Sequence, residues 1–294
     1  MENELGGVIA AIITPVTRAG EPDVDRLIAR ASYLLENGCN ALNLLGTTGE
    51  ATSFSVAQRR AVMEAVSRSG LPMDRFMVGT GAAAVKDAVE LSSAAADLGF
   101  AGALVLPPFY YKPLTGDGVT SYIGAIIAAT ADHALPIFLY NFPALSGIAY
   151  TPQLVSLLVS RFGDRIAGLK DSSGDLDYAK VIAAISPGLK VFPSNEAILL
   201  RARAGEFAGC ISATANLNSI DCAAAFNSGD EAALARAVAI RQVFDGLPLV
   251  PGIKTLLAEV HKDPELANMV PPLRSPSPEQ RNEIVRRYME ALDG

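Results

Sequence analysis

The sequence contains no tryptophan, two histidines and three cysteines among its 294 residues. Neither His133 nor His261 has a partner at the spacing of a metal-ligand pair, which argues against a histidine-based metal site. The three cysteines lie far apart in the chain, so they predict reduced thiols and not a disulfide framework. These scarcities make a histidine-type metalloenzyme and a disulfide-rich secreted domain poor candidates.

Basic residues are also scarce, because 24 Lys and Arg stand against 31 Asp and Glu, for a net charge of −7. A protein that binds nucleic acid or an anionic membrane needs a basic surface, so we expect neither partner. The apolar run over 8–16 follows Glu2 and Glu4, and it contains Pro15. It is too short for a membrane span and lacks the basic start of a secretory signal. We therefore expect a buried strand in a cytoplasmic protein.

What the sequence does contain is a regular alternation of short apolar runs and amphipathic stretches. Eight runs have the pattern of strands that are buried on both faces. They cover 7–16, 41–46, 75–81, 103–108, 136–143, 166–173, 189–195 and 209–216. Helix-start signals stand between them, such as the capping box of Ser55 and Gln58 and the Thr151-Pro152 pair. The pattern predicts a (β/α)₈ TIM barrel. A doubly wound sheet is the alternative, but the glycine-rich phosphate loop after its first strand is missing.

The chain continues beyond the eight strand–helix units that a barrel needs. Three further helical stretches are predicted, over 230–244, 253–260 and 278–292. Prolines between them, Pro251 included, are expected to break the chain. We predict two parts, with residues 1–222 as the barrel and residues 223–294 as a C-terminal helical appendage.

In a barrel of this kind the chemistry lies at the carboxyl ends of the strands. Lys170 follows the apolar run Ile166-Ala167-Gly168-Leu169 and should therefore lie in the barrel wall. An ammonium is costly to desolvate, so a lysine in such a place favours a neutral, nucleophilic amine that can form an imine with a carbonyl substrate. The alternative for Lys170 is a structural ion pair with a buried carboxylate.

Polar and aromatic residues at other strand ends could complete such a site. Tyr140 carries a phenol that could pass a proton, or it is an ordinary core tyrosine. Gly46-Thr47-Thr48-Gly49 offers N–H groups and two hydroxyls to a carboxylate, or it is an ordinary turn. The aromatic run Phe109-Tyr110-Tyr111 either closes the cavity or packs in a neighbouring subunit. Asp171 and Glu196 are expected to cap the helices that follow their strands.

Three of these motifs together resemble the dihydrodipicolinate synthase / N-acetylneuraminate lyase family of class I, pyruvate-dependent aldolases. The motifs are Gly46-Thr47-Thr48-Gly49-Glu50, Tyr140-Asn141-Phe142-Pro143 and Gly168-Leu169-Lys170-Asp171. The resemblance implies a TIM barrel with a C-terminal helical extension, a homotetramer built as a dimer of dimers, and a small 2-oxo acid as the partner. It implies no separate cofactor, because pyruvate itself forms the covalent imine.

The resemblance also implies roles for single residues. Lys170 matches the lysine that forms the imine, and Tyr140 matches the tyrosine that shuttles protons at the aldol oxygen. Thr47 matches the threonine of the proton relay. Tyr110 matches the relay tyrosine that many members of the family receive from the adjacent subunit.

Substrate recognition is where the sequence departs from parts of the family. Thr48 and the neighbouring Gly49 match the site of the pyruvate carboxylate. Dihydrodipicolinate synthases typically carry an arginine two residues after the proline of the second motif, and this chain has Leu145 there. An aliphatic side chain cannot replace a guanidinium that binds a carboxylate in bidentate fashion. The run Pro143-Ala144-Leu145-Ser146-Gly147 instead resembles the neuraminate lyases and some 2-keto-3-deoxy sugar acid aldolases.

The groups that hold the polyol tail in neuraminate lyases are only partly kept. Ser172 fits the hydroxyl two residues after the lysine, and Asn195-Glu196 stands where those enzymes have an Asp-Glu pair. Ala213 aligns with their serine near the end of strand eight, and Ser212 lies beside it. A polyhydroxy 2-oxo acid shorter than sialic acid fits this set best.

The expected function is therefore a Schiff-base lyase or aldolase for a 2-keto-3-deoxy sugar acid or an N-acetylneuraminate-like substrate. Three alternatives stay open. The first is a 4-hydroxy-tetrahydrodipicolinate (dihydrodipicolinate) synthase that condenses pyruvate with aspartate semialdehyde. The second is a related deoxy-oxo sugar acid dehydratase. The third is a module that binds a 2-oxo acid without turning it over.

Overall fold

The structure is a computed structural model that describes residues 5–293. It contains eight strands, each followed by at least one helix. The strands are Gly7–Ala11 (β1), Ala41–Leu44 (β2), Phe76–Gly79 (β3), Gly102–Val105 (β4), Ile137–Asn141 (β5), Ile166–Asp171 (β6), Lys190–Pro193 (β7) and Gly209–Ser212 (β8). The α-helices are Val24–Glu36 (α1), Val56–Ser67 (α2), Val85–Asp97 (α3), Gly116–Ala129 (α4), Pro143–Ser146 (α5), Pro152–Phe162 (α6), Leu176–Ala183 (α7), Leu199–Arg203 (α8), Ala215–Ser228 (α9), Glu231–Gln242 (α10), Leu249–His261 (α11) and Pro278–Asp293 (α12).

The strands form one parallel sheet in the order β7-β6-β5-β4-β3-β2-β1-β8. A backbone hydrogen bond from the Ala208 N–H to the Val191 carbonyl (3.0 Å) joins the β7 edge to the segment that leads into β8. The sheet therefore curls into a nearly closed barrel with helices between successive strands. The predicted TIM barrel is confirmed.

Apolar side chains fill both faces of the sheet, which explains why the strands read as continuous apolar runs. Ile9, Met77 and Phe138 point into the barrel interior. The helices bury one stripe each against the outer face. In α1, for example, Leu27 and Leu34 recur at helical spacing and are fully buried.

The strands are shorter than the apolar runs predicted. β1 ends at Ala11, and only one further ladder-type hydrogen bond follows, from the Ile12 N–H to the Asn43 carbonyl (3.2 Å). Pro15, which has no N–H to donate, lies in the loop that follows. The residues after each strand thus form loops at the carboxyl end of the barrel, where the polar motifs were located.

The C-terminal segment folds as three helices with an apolar core of their own. Ile253 and Leu257 of α11 and Ile284 of α12 are buried there together with Ile13, which follows β1. The predicted boundary after residue 222 falls within α9, so the division of the chain at that point stays a prediction.

One expectation about this segment is wrong, because Pro251 does not break the chain but lies in the first turn of α11, whose first residue is Leu249. The first N–H groups of a helix need no intrahelical acceptor, so a proline is tolerated there. Among the described helices, none is long and apolar enough to cross a lipid bilayer.

Candidate active site

Lys170 and Tyr140 lie side by side on neighbouring strands. They are register partners between β5 and β6, so both side chains point to the same face of the sheet. The Lys170 Nζ donates to the Tyr140 hydroxyl (3.4 Å) and lies 4.4 Å from the centroid of the phenol ring. Both residues are buried, with exposed fractions of 4% and 3%. The buried amine predicted from the apolar run is therefore in contact with a phenol.

Thr47 approaches the same phenol from the loop after β2. Its Oγ1 lies 3.3 Å from the Tyr140 hydroxyl, at hydrogen-bond distance. Lys170, Tyr140 and Thr47 thus form a continuous chain of groups that can exchange protons. A phenol held between two such partners can accept and return a proton at a substrate oxygen.

These three residues face a cavity of about 410 Å³ at the carboxyl end of the barrel. Its lining includes further residues from the strand ends and from the C-terminal segment. They are Thr48, Phe142, Leu145, Ser172, Ser194, Ile211, Ala213, Arg241, Pro248, Leu249, Val250, Pro251 and Leu273. The cavity therefore brings together six residues of the predicted site, namely Thr47, Thr48, Tyr140, Leu145, Lys170 and Ser172.

Gly49 contributes to the shape of the loop that carries the two threonines. Its carbonyl accepts a hydrogen bond from the Thr14 Oγ1 (2.8 Å), and a Cβ at Gly49 would lie 3.1 Å from that oxygen. Thr48 next to it is buried. The loop is therefore packed tightly against the segment that follows β1.

Glu196 and Ser212 lie behind the cavity wall, where they contact each other. The buried Glu196 carboxylate accepts hydrogen bonds from the Ser212 Oγ (2.5 Å) and the Thr214 Oγ1 through Oε1, and from the Arg241 Nη1 (3.2 Å) through Oε2. Asn195 caps the short turn that follows, since its Oδ1 accepts from the Ala197 N–H (3.0 Å). The cavity is lined by Arg241 on this side, and Glu196 helps to hold it.

The expected helix-capping roles of Asp171 and Glu196 are wrong. The N-cap of α7 is Asp175, whose side chain accepts from the Tyr178 N–H. Asp171 instead accepts from the Asn141 Nδ2 (2.7 Å) and from the Ser173 N–H (3.1 Å) and Oγ (2.8 Å). Burial raises the pKa of Asp171, and these hydrogen bonds oppose that shift. Asp171 therefore ties the end of β6 to the end of β5, next to Lys170 and Tyr140.

Arg241 is a cavity residue that the sequence did not reveal. Its Nη1 donates to the Ser194 carbonyl (2.9 Å) as well as to Glu196, which orients the guanidinium at the end of β7. Within the described residues, its Nε and Nη2 have no protein hydrogen-bond partner. Arg241 is the last-but-one residue of α10, in the predicted appendage, so a search of strand ends could not find it.

Tyr110 lies outside the cavity of its own chain. Its side chain is 76% exposed and packs edge to face on Tyr111, with 5.3 Å between the ring centroids. In the described part of the chain it makes no hydrogen bond to Thr47 or to any other residue. A relay role for Tyr110 would therefore require a second copy of the chain.

The described residues contain no group of three or more His, Cys, Asp or Glu side chains that could hold a metal ion. The cavity instead presents one lysine, one arginine, a phenol and several hydroxyls. An amine and a phenol in contact are suited to imine formation and proton transfer at a carbonyl substrate.

Comparison with known proteins agrees with this chemistry. A model of the dihydrodipicolinate synthetase family matches residues 4–291. The chain belongs to this family. Members of the dihydrodipicolinate synthetase family are enzymes of the class I, pyruvate-dependent aldolase type, so the protein is an enzyme and a lyase. The predicted family is thereby confirmed.

Individual members of the family are similar over most of their length. An uncharacterised DapA-like lyase of Chloroflexus aurantiacus is 34% identical over 271 residues, which is 90% of each chain. A 4-hydroxy-tetrahydrodipicolinate synthase of Prochlorococcus marinus is 30% identical over 81% of this chain and 78% of its own. The crystal structure of dihydrodipicolinate synthase from Agrobacterium tumefaciens superposes with a TM-score of 0.90 at 28% identity, over 97% of this chain and 99% of that one.

Proposed function

We propose that the protein cleaves or forms a 2-oxo acid through an imine on Lys170, and that its substrate is a 2-keto-3-deoxy sugar acid or an N-acetylneuraminate-like compound. The observation that carries the proposal is the buried Lys170 amine in contact with the Tyr140 phenol, itself 3.3 Å from Thr47, at the wall of one cavity. A 2-oxo acid that only binds would need no buried amine beside a proton-transfer group.

The reaction in the cleavage direction follows from these groups. The Lys170 amine adds to C2 of the 2-oxo acid, and Tyr140 gives its proton to the departing hydroxyl group, so that water leaves and a protonated imine forms. Tyr140 takes the proton of the C4 hydroxyl, the C3–C4 bond breaks, and its electron pair moves into the imine to give an enamine and an aldehyde. Protonation of the enamine at C3 and attack of water at C2 then release pyruvate and restore the amine. We assign the pyruvate carboxylate to the Gly46–Gly49 loop, with Thr48 as the hydroxyl donor.

The choice of substrate rests on two residues of the cavity. Leu145 is 62% exposed at the cavity rim, and no guanidinium stands at that position. Arg241 lies at the end of β7, with two nitrogens that have no protein partner among the described residues. We assign Arg241 and Ser172 to the hydroxyl-bearing end of a sugar acid. Glu196 then acts on the substrate through Arg241, and Ser212 acts through Glu196. Asn195, which contacts neither Arg241 nor Glu196 by a hydrogen bond, stays a predicted substrate-binding residue.

Arg241 also favours a second candidate, 4-hydroxy-tetrahydrodipicolinate synthase. Its guanidinium could bind the carboxylate of aspartate semialdehyde from the β7 side in place of the arginine missing at Leu145. The relative from Prochlorococcus marinus bears the name of that activity. A dehydratase acting on a deoxy-oxo sugar acid would use the same lysine and tyrosine.

We further propose a cytoplasmic homotetramer, a dimer of dimers, that needs no cofactor besides the covalent imine. The exposed Tyr110 and Tyr111 support the assembly, because two adjacent aromatic side chains are costly to leave in water. In such an assembly Tyr110 could reach Thr47 and Tyr140 of the adjacent subunit.

The proposal is tested by measuring pyruvate release from a panel of sugar-derived 2-oxo acids, beside condensation of pyruvate with aspartate semialdehyde. We expect turnover of a sugar acid, loss of all turnover in Lys170→Ala, and a loss of about 10- to 100-fold in kcat/KM in Arg241→Met, since a hydrogen bond to a charged group is removed. Arg236→Met on the same helix is the matched control, because Arg236 pairs with Asp221 and does not line the cavity.

The substrate that is turned over decides between the candidate functions, and the variants test the roles assigned to Lys170 and Arg241. Turnover of aspartate semialdehyde alone would support the synthase, and wild-type rates in Lys170→Ala would exclude the imine mechanism. Equal losses in the Arg236 and Arg241 variants would exclude the assignment of Arg241 to the substrate.

A further inference from the structure

A buried ion pair joins the C-terminal segment to the loop that carries Thr47 and Thr48. Lys254 of α11 and Glu50, at the end of that loop, are each completely buried at the side chain. The Lys254 Nζ donates to the Glu50 carboxylate and to the Thr14 carbonyl (3.0 Å). The second Glu50 oxygen accepts from the Val270 N–H (2.8 Å). Glu50 is thus held by two separate parts of the C-terminal segment.

A gain in folding stability alone does not account well for this buried ion pair. Removing two charges from water costs free energy that their attraction often fails to recover, and apolar replacements of such pairs are commonly neutral or stabilising. Burial lowers the pKa of Lys254, and the Glu50 charge opposes that shift. A buried ion pair can instead serve to fix one conformation among several. The segment that the Glu50–Lys254 pair would fix is the loop that ends at Glu50.

The loop has an unfavourable backbone conformation at both ends. Leu45 and Glu50 adopt left-handed conformations, with φ of 50° and 55°, although neither is glycine or asparagine. Non-glycine residues stay in this region only where surrounding contacts determine it. At the Glu50 end these contacts are the ion pair, the Val270 N–H and the bond from the Thr14 Oγ1 to the Gly49 carbonyl (2.8 Å).

We propose that Glu50 is a positioning residue, whose carboxylate, anchored by Lys254 and Val270, holds the Gly46–Glu50 loop so that Thr47 reaches Tyr140 and Thr48 reaches the pyruvate carboxylate. The C-terminal segment, through Lys254 and Val270, thus helps to position residues of the active site. The inference rests on the proposed function, because it assigns the loop to pyruvate.

The test compares Glu50→Gln, Lys254→Met, the double variant of both, and Leu257→Ala. Leu257 is fully buried in the same helix but has no polar link to the loop, so its truncation destabilises α11 without touching the anchor. For each protein we would measure the urea midpoint of unfolding, the KM for pyruvate, and hydrogen exchange of the peptide that covers residues 45–53.

We expect Glu50→Gln to raise the pyruvate KM at least tenfold and to increase exchange in 45–53, while saturating pyruvate still reacts with Lys170. The double variant should regain the midpoint, because no unpaired charge remains buried, but it should keep the raised KM. Leu257→Ala should lower the midpoint and keep the KM within twofold of wild type. If the single variants do not fold, the double variant alone decides between positioning and stability.

The proposal is overturned if, across the wild type and the four variants, the pyruvate KM rises only as the urea midpoint falls. It is also overturned if hydrogen exchange in residues 45–53 is unchanged in the Glu50→Gln and double variants. Failure of the proposed function looks different. In that case the wild-type enzyme itself would not react with pyruvate, and the exchange comparison would still report whether the pair fixes the loop.

Discussion

Tyr140 connects the two other groups of the proton-transfer chain, because its hydroxyl contacts both the Lys170 Nζ and the Thr47 Oγ1. These three residues could be predicted from the sequence because each directly follows or ends an apolar run, and the fold gathers strand ends at one place. Arg241 and Lys254 could not be predicted in this way. They come from helices whose docking on the barrel depends on tertiary packing that no local pattern encodes.

Replacing Tyr140 by phenylalanine separates imine formation from proton transfer. The ring that packs against Lys170 remains, while the hydroxyl that contacts Thr47 is lost. We expect pyruvate still to form the imine and turnover to fall by about 10²–10⁴-fold, the usual contribution of a positioned acid–base group. Single-turnover kinetics beside covalent trapping measures both quantities.

Tyr150→Phe is the matched control, since Tyr150 is also buried but its hydroxyl faces the Val105 carbonyl (3.5 Å) and does not line the cavity. It should keep wild-type turnover. A Tyr140→Phe enzyme that no longer bound pyruvate covalently, or that kept its rate, would contradict the assigned role.

The predicted helix starts agree with the structure better than the predicted strand ends do. The capping box of Ser55 and Gln58 is present at α2, because both of its hydrogen bonds involve neighbours in sequence. The strands end earlier than their apolar runs, because the residues beyond them are buried by loops and not by sheet pairing. The end of an apolar run therefore marks where the buried residues end, and not where the hydrogen bonds of the strand end.

The contact between α1 and α11 should make stability depend on pH. The Arg30 Nη1 lies 2.8 Å from the His261 Nε2, and burial together with the Arg30 charge lowers the pKa of His261 below its ordinary 6.5. A group whose pKa is lower in the folded state contributes stability that is present above the unfolded pKa and is lost as pH falls through the folded pKa. We expect the free energy of unfolding to fall as pH drops below 6.5.

Urea unfolding across this pH range measures the effect, with His261→Gln as the variant and His133→Gln, at an exposed histidine, as the control. The His261 variant should lose part of the pH dependence, and the His133 variant should keep it. The same slope in wild type and His261→Gln would show that the contact carries no proton linkage.

The barrel as a whole could be predicted because the alternation of strands and helices repeats along most of the chain. An error in one element therefore changes the number of predicted strand–helix units by only one. How the C-terminal segment docks could not be predicted, although it supplies Pro248, Leu249 and Leu273 to the cavity wall. The complete site is thus formed by the strand ends together with the C-terminal segment.

Tyr110 and Tyr111 are each 76% exposed on one loop, so we expect them to be buried between subunits. Light scattering after size exclusion should show a tetramer for the wild type and a smaller species for the Tyr110→Ser, Tyr111→Ser double variant. Ile220→Ser, at an exposed apolar residue of α9, is the control and should leave the mass unchanged. A monomeric wild type would exclude the proposed assembly.

The proposed function depends on a covalent imine between Lys170 and a 2-oxo acid. The experiment is to incubate the enzyme with pyruvate, reduce with borohydride, and map the modified peptide by mass spectrometry. We expect one stable adduct of reduced pyruvate per chain, on Lys170, and none in Lys170→Ala. A folded enzyme that acquires no adduct, or that carries it on another lysine, would exclude the imine mechanism assigned to Lys170.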